Sequence, residues 1–252
     1  MLKKIAKRLF KILAAIIVLL LVAYIGLYLA YNRPLPEGKM GAEADALAEQ
    51  MLEAVNKEAW DTTNIIQWSF IDMHHFIWDK KRHLVQVEWD DYKVLLNPNT
   101  MDGKIYFDGE EQMNDARIFE TAYSHFINDA FWMNGFVQIH NGDPEHRIVD
   151  MEDGSKGLLI TYTSGGVTPG DSYLWMFDVN GLPKAWRMWV GILPIGGIEV
   201  SWEDWIILPT GAKLAQSHNT GSLFNVTISN VKAYQTWEEG GYENDIFAAI
   251  AN

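Results

Sequence analysis

Histidine side chains are the residues of this sequence that could hold a metal ion. The seven histidines are scattered along the chain, and none shows the H-x-H or H-E-x-x-H spacing that metal ligands use. His74 and His75 are adjacent, so on a strand they point to opposite faces and cannot share an ion. No cysteine is present to complete a ligand set. The sequence therefore predicts no metal site and no cofactor.

Paired carboxylates are the second set of residues that could catalyse a reaction. Two carboxylates catalyse acid–base reactions only where they face each other across a cleft, and pairs at turns or strand ends are ordinarily solvated. The G-x-S-x-G arrangement of a nucleophilic serine is absent. We predict no catalytic residue, and an enzyme ranks third among the functions considered. The acidic pairs are Asp90-Asp91, Glu110-Glu111, Glu203-Asp204 and Glu238-Glu239.

The segment from Gly165 to Ser172, GGVTPGDS, has the G-x-x-x-x-G spacing of a phosphate-binding loop. Asp171 stands where that loop requires lysine, and its carboxylate would repel a phosphate. A strand pattern follows, whereas phosphate loops precede a helix N-terminus. The segment is therefore interpreted as a Gly/Pro loop between two strands.

Aromatic side chains are the feature of this sequence that bears most directly on function. Tyr173, Trp175 and Phe177 alternate with Leu174 and Met176, so this strand is apolar on both faces and something must cover the second one. Two interpretations remain: the aromatic residues fill a large β core, or some of them line an apolar groove for an acyl chain or a similar ligand. The groove candidates are Trp68, Phe70, Trp89, Trp132, Trp175, Phe177, Trp186 and Trp202.

The elements that position these residues are mostly strands. Apolar residues recur at helical spacing from Ala44 to Val55 and from Asp115 to Met133. Between and after these helices the period changes to two, with turn residues at the boundaries. We expect antiparallel hairpins, and a short helix from Glu243 to Ile250. The strands are predicted near 66–70, 83–89, 94–96, 104–107, 146–151, 157–163, 172–178, 184–190, 198–207, 212–218 and 223–234.

An apolar segment lies near the N-terminus. Ile12 to Tyr31 are twenty consecutive residues without a charge, and at about 1.5 Å per residue they span roughly the 30 Å hydrocarbon core of a bilayer. A cleaved signal peptide is the alternative, but its apolar region is normally about 7–15 residues long and ends in small residues. We predict an uncleaved transmembrane anchor.

The distribution of charge orients this anchor. Five basic residues and no acid precede it, and such flanks remain in the cytoplasm. Six of the 20 basic residues precede residue 34, so only 14 stand against the 33 acidic residues of the rest. An acidic domain is a poor partner for nucleic acid. The predicted organisation is a cytoplasmic tail (1–11), an anchor (12–31), a Pro/Gly linker (32–41) and one exported domain (42–252), in the inner membrane of a bacterium with the domain in the periplasm.

The order of helix, antiparallel meander, inserted helix and second run of strands resembles the LolA/LolB-like lipoprotein-carrier superfamily, in particular envelope members from Bacteroidetes. The similarity covers roughly residues 42–235. It is carried by Asn128 to Met133, by Asp178 to Pro183, and by Gly211 to Leu214 after Trp202 to Trp205. The resemblance implies a curved antiparallel half-barrel, mainly β with α, covered by two or three helices around an apolar cavity.

The resemblance implies no catalytic residues, and two features depart from it. A shuttling carrier is free in the periplasm, and LolB-type receptors are held by a lipidated cysteine, whereas this chain has an apolar anchor and no cysteine. The leading hypothesis is therefore a membrane-anchored module that binds an acyl chain, a lipid or another apolar ligand. The alternative is a structural or protein-interaction domain of the envelope without a ligand cavity.

Overall fold

A computed structural model describes residues 2–164, 170–221 and 224–251 of the chain. Residues 165–169, which form most of the predicted Gly/Pro loop, lie outside the described residues. Within the described residues the chain forms four α-helices, and a 3₁₀ turn at Gly135–Val137 follows the last of them. The helices are α1 (Leu2–Tyr31), α2 (Ala42–Ala54), α3 (Lys57–Thr62) and α4 (Ala116–Asn134).

Helix α1 contains the predicted anchor. It is long and apolar enough to cross a membrane, a property that anchors and signal sequences share, and the rest of the chain buries none of its most apolar segment. Helices α2 and α4 match the two amphipathic patterns of the sequence. The short helix α3 was not predicted, because it offers fewer than two turns of apolar spacing.

Within the described ranges, fourteen strands make up most of the rest of the domain. The alternating pattern predicted most of them, but two were missed: β2, in which Phe76, Ile77 and Trp78 are apolar without alternation, and the short β6. The strands are β1 (Ile65–Phe70), β2 (His74–Asp79), β3 (Leu84–Trp89), β4 (Tyr92–Asn97), β5 (Asp102–Phe107), β6 (Glu110–Gln112), β7 (Glu145–Asp150), β8 (Lys156–Thr161), β9 (Ser172–Phe177), β10 (Pro183–Trp189), β11 (Ile198–Ser201), β12 (Glu203–Ile207), β13 (Lys213–Asn219) and β14 (Asn225–Tyr234).

The strands form two antiparallel sheets. Nine strands have the order β12-β13-β14-β1-β2-β3-β4-β5-β6, and five have the order β11-β10-β9-β8-β7. Among the described residues β6 and β7 do not pair, so the sheets stay open and a curved half-barrel describes them only loosely. The prediction of a mainly antiparallel β domain with a few helices is confirmed.

Trp202 connects the two sheets. The sequence predicted one strand over residues 198–207, but this stretch is divided into β11, which pairs with β10, and β12, which pairs with β13. The Trp202 N–H donates to the Lys184 carbonyl at 2.8 Å, and Asp204 has a left-handed φ of 54°. The alternation of Ile198, Val200 and Trp202 is interrupted at Glu203 and Asp204, so the sequence contained a signal for this bend that the prediction of one strand overlooked.

One hydrophobic core joins the inner faces of both sheets. Helix α4 packs against β3, β4, β5 and β13, while α2 packs against β7 and β8. Phe119, Phe126 and Met133 of α4 are buried among aromatic side chains from both sheets. The inserted helix therefore fills the space between the two sheets.

The outer face of the nine-stranded sheet is covered by the C-terminal segment. Phe247 is fully buried against Leu84 and Leu95, and Arg82 donates two hydrogen bonds to the Asp245 carboxylate at 2.6 and 2.8 Å. The prediction of a helix from Glu243 to Ile250 was wrong, because this segment forms turns. Its packing on the sheet outweighs the helical spacing of its apolar residues.

The Pro/Gly linker is attached to the domain along its length. Lys39 forms an antiparallel bridge with Ile148 of the edge strand β7, and a Cβ on Gly38 would lie 3.1 Å from the side chain of Val149. Val149 belongs to a small apolar cluster on the outer face of the five-stranded sheet, together with Leu159 and Leu174. The linker thus covers part of the second apolar face that the sequence left unexplained.

Candidate functional site

Four of the eight predicted groove residues come together between α4 and the five-stranded sheet. The ring centroids of Trp175, Trp186 and Trp202 lie 4.9 to 5.1 Å apart in all three pairs. Trp132 of α4 contacts Trp186 at 5.3 Å. We call these four residues the tryptophan cluster.

The other four candidates lie elsewhere in the domain. Trp68 stacks on Phe76 at 4.6 Å, and Trp89 stacks on Tyr92 at 5.1 Å. Phe70 and Phe177 likewise lie outside the tryptophan cluster, Phe70 in the buried core and Phe177 half-buried against it. The eight candidates therefore do not form a single groove.

Burial of the cluster is nearly complete. Trp175, Trp186 and Trp202 are 0%, 1% and 2% exposed, whereas Trp132 is half-buried. Trp89 borders a surface cavity of about 620 Å³, whose other walls are largely polar and include Asp72, Glu88 and Lys93. The aromatic interior as described is packed, with ring against ring at ordinary contact distances.

The polar atoms of this interior distinguish it from an ordinary core. Among the described residues, the indole nitrogens of Trp68, Trp175, Trp186 and Trp202 are buried without a hydrogen-bond partner. By contrast, Trp60 Nε1 donates to the Lys213 carbonyl at 2.7 Å. Buried donors normally find acceptors, and one left unsatisfied costs about 1–3 kcal/mol. Three such donors in one cluster call for an explanation.

His218 of β13 borders the tryptophan cluster. Its ring centroid lies 4.3 Å from that of Trp202, and its Nδ1 is 3.3 Å from the Ser201 carbonyl. Burial lowers the pKa of His218 from 6.5 to about 4, because a charged imidazolium would lose its hydration. The imidazole is therefore neutral at physiological pH, and the cluster is an uncharged aromatic environment.

A second group of polar residues was missed by sequence reasoning. His74 Nδ1 lies 2.7 Å from Asp129 Oδ2, Asn128 donates to Asp129 Oδ1 at 2.8 Å, and the His74 and His125 rings lie 4.0 Å apart. Burial raises the pKa of Asp129 and lowers that of His125. We call His74, His125 and Asp129 the acid–histidine group.

The signal for this group was present in helix α4. Asp129 follows Phe126 by three residues and precedes Met133 by four, which places a carboxylate on the apolar stripe of the helix. The two adjacent histidines do point to opposite faces, as expected, since His75 bonds Ser69 instead. Within the described ranges no set of three His, Asp or Glu side chains is arranged to hold a metal ion.

Comparison with models of known protein families and with curated protein sequences finds no match. The functional argument therefore depends on the geometry of this chain.

Proposed function

We propose that this protein is a membrane-anchored module whose β domain binds an acyl chain, a lipid or another apolar ligand between helix α4 and the sheets. The observation that carries this proposal is the tryptophan cluster, in which Trp175, Trp186 and Trp202 bury indole N–H groups without acceptors. Apolar surroundings with a few convergent polar atoms are typical of ligand sites.

The ligand chemistry follows from these donors. An indole nitrogen donates and does not accept, so the ligand that satisfies it carries an acceptor oxygen, as in an ester, a carboxylate or an amide. The surrounding surface is mostly aromatic and uncharged, with the neutral imidazole of His218 at its border, which suits an alkyl chain. A lipid or acylated molecule combines both properties, and no catalytic step is part of the proposal.

The arrangement of elements supports an open half-barrel as the architecture of the site. The two sheets share one core and are connected through Trp202, and α4 lies against their inner side. This is the arrangement expected from the resemblance to the LolA/LolB-like superfamily. Because the indole nitrogens are buried, ligand entry in this proposal requires α4 to move away from the five-stranded sheet.

The proposed location is the inner membrane of a bacterium, with α1 as an uncleaved anchor and the domain in the periplasm. The short linker keeps the domain close to the bilayer, because ten residues span at most about 35 Å. A domain held this close to the bilayer receives ligands from the membrane surface or from a partner beside it. Transport across the periplasm is not compatible with such an anchor.

A photoreactive ligand provides the test. The full-length chain in lipid nanodiscs is irradiated with a diazirine-bearing fatty acid, and the labelled peptides are identified by mass spectrometry. We expect labels on peptides that contain Trp132, Trp186 or Trp202. Trp186→Phe and Trp202→Phe should each reduce this labelling by roughly tenfold, if the lost hydrogen bond contributes about 1.4 kcal/mol. Labelling confined to α1 would refute the proposal.

The control is Trp60→Phe, which removes a buried indole nitrogen that already has the Lys213 carbonyl as acceptor. This variant should label as the wild type does. A uniform decrease in all three variants would indicate a general loss of packing and would also contradict the proposed site.

A structural or protein-interaction domain is the second candidate function. The near-complete burial of Trp175, Trp186 and Trp202 favours it, because their rings already fill the space between one another. In this case the unsatisfied indole donors are a cost of packing. Extraction of the purified chain with organic solvent should then release no lipid beyond that bound to α1.

A further inference from the structure

The loop between β10 and β11 is apolar and projects into solvent. Residues 190–197 read VGILPIGG and contain no charged side chain. The Leu193 N–H donates to the Val190 carbonyl at 3.0 Å, so Gly191 and Ile192 occupy the tip of a turn. Ile192 is 74% exposed. An isolated exposed isoleucine is ordinary, so a functional role for Ile192 has to be argued from its location relative to α1.

This loop is fixed directly to the end of helix α1. The Arg33 N–H donates to the Gly196 carbonyl at 2.9 Å, and the Gly196 N–H donates to Asn32 Oδ1 at 2.9 Å. Trp189 Nε1 donates to the Arg33 carbonyl at 2.8 Å. Asn32 itself donates to the Tyr28 carbonyl at 2.9 Å, which continues the helical turn. The loop is therefore held at the point where the chain leaves the helix.

Close packing makes this attachment specific. Gly197 has a left-handed φ of 76°, and a Cβ there would lie 2.6 Å from the Cβ of Arg33. A Cβ on Gly196 would lie 2.4 Å from the ring of Trp189. Only glycine allows the two segments to approach this closely. The position of the loop relative to α1 is thus defined by backbone contacts.

We propose that the Val190–Ile195 loop inserts into the interfacial region of the same bilayer that α1 spans, as a second membrane contact. Four residues of extended chain cover at most about 14 Å, so Ile192 lies within that distance of Gly196 and hence near the end of α1. Tyr28 and Tyr31 occupy this end, where aromatic rings prefer the interface.

Acidic turns elsewhere in the domain are less suited to a membrane contact. The β3–β4 turn contains Asp90 and Asp91, and the β5–β6 turn contains Asp108, so those turns would be repelled by anionic headgroups. The β10–β11 loop contains no acidic residue, and the Asp171 carboxylate that accepts from the Gly191 N–H at 2.8 Å is buried. Two contacts, α1 and the loop, fix the tilt of the domain, which a single helix followed by a free linker would not do. This inference depends on the proposed anchoring but not on ligand binding.

The absence of cysteine from the chain provides a direct test. Ile192→Cys in the full-length chain is labelled with an environment-sensitive fluorophore and reconstituted into phosphatidylcholine vesicles. Val179→Cys is the matched control, since Val179 is apolar, fully exposed and located in the β9–β10 turn, at the ends of those strands opposite to the β10–β11 loop. Tyr31→Cys reports whether α1 is inserted.

Lipids that carry a spin label near the headgroup should quench the emission of the probe at position 192 roughly twofold or more, as expected for an apolar group within the interface. They should leave the probe at position 179 unchanged. The inference is overturned if position 192 is not quenched, if position 179 is quenched equally, or if position 31 remains in water. Photolabelling of the tryptophan cluster is measured separately, so failure of the membrane contact and failure of ligand binding are distinguishable.

Discussion

His74 Nδ1 of β2 and Asp129 Oδ2 of α4 lie 2.7 Å apart, a contact that connects the inserted helix to the nine-stranded sheet. Asp129 is only 1% exposed. Burial is the main cause of its raised pKa, and hydrogen bonds from Asn128 and His74 oppose this effect. A carboxylate in this position is costly because its charge is poorly hydrated.

The first prediction concerns the pH dependence of stability at this contact. The folded state retains the Asp129 proton at pH values where the unfolded state has lost it. The free energy of unfolding should therefore fall as pH rises above about 3.8, by at most about 1.4 kcal/mol per pH unit, and level off above the raised pKa. Asp129→Asn should remove this contribution. Urea unfolding of the full-length chain in detergent, followed by Trp emission, measures it.

Asp129→Ala separates charge from hydrogen bonding at the same position. Asparagine still offers an oxygen to His74, whereas alanine leaves the imidazole without its partner, at a cost of about 1–3 kcal/mol. An Asn variant with the same pH profile as the wild type would show that Asp129 titrates normally.

The second prediction concerns His218, whose effect has the opposite sign. Its folded pKa is lowered to about 4 from 6.5, so the unfolded state binds a proton that the folded state excludes. Stability should be complete above pH 6.5 and decline as pH falls toward about 4, by about 3 kcal/mol in total. His218→Gln should flatten the profile in this range.

His83→Asn is the control for that experiment. His83 is exposed with a left-handed φ of 56°, a conformation that asparagine tolerates. This variant should keep the wild-type acid sensitivity. A His218→Gln profile that still declines between pH 6.5 and 4 would assign the acid sensitivity to other groups.

The third prediction compares two equally buried tryptophans. Trp60 and Trp175 are 1% and 0% exposed, but only Trp60 Nε1 has an acceptor, the Lys213 carbonyl. Replacement by phenylalanine removes the same volume at both sites. Trp60→Phe also leaves that carbonyl unpaired, so it should cost about 1–3 kcal/mol more than Trp175→Phe. Chemical denaturation of both variants measures the difference, and equal losses would show that Trp175 Nε1 is hydrogen-bonded.

Local patterns in the sequence were sufficient for most elements, because burial of one face imposes the period on each strand and helix. The alternation of Trp68 and Phe70 and the stripe of Phe119 and Phe126 in α4 each specify their element without reference to the rest of the chain. The division at Trp202 was overlooked although the alternation of Val200 and Trp202 breaks at Glu203 and Asp204, because the apolar residues that follow allowed the stretch to be interpreted as one strand.

The candidate site was less predictable because it depends on contacts between distant segments. The sequence named all members of the tryptophan cluster, but it also named Trp68 and Trp89, which lie elsewhere. It could not show that Trp60 has an acceptor and Trp175 has none. The pairing of His74 with Asp129 joins residues far apart in the chain, and the same is true of the linker, whose partners lie in β7 and the β10–β11 loop.

The fourth prediction concerns the linker, which the sequence suggested was a simple spacer. Arg33 is hydrogen-bonded to Gly196 and to Trp189, and Lys39 is hydrogen-bonded to Ile148.

A protease requires several extended residues in its active site, so a segment held by such bonds is cleaved slowly until it detaches. Trypsin does not cleave before proline, and Pro34 follows Arg33, so Lys39 is the cleavage site to follow. Trypsin should cleave the wild-type linker slowly after Lys39, in detergent or in nanodiscs. Gly38→Ala should speed cleavage at Lys39 by tenfold or more, if the substitution weakens the attachment of the linker by about 1.4 kcal/mol, because the added Cβ would lie 2.9 Å from that of Arg147. Gly221→Ala is the control, since it also has a left-handed φ, here 78°, but meets no neighbouring atom within 4 Å. Rapid cleavage of the wild type at Lys39 would show that this part of the linker is free, and it would contradict the attachment of the linker to β7.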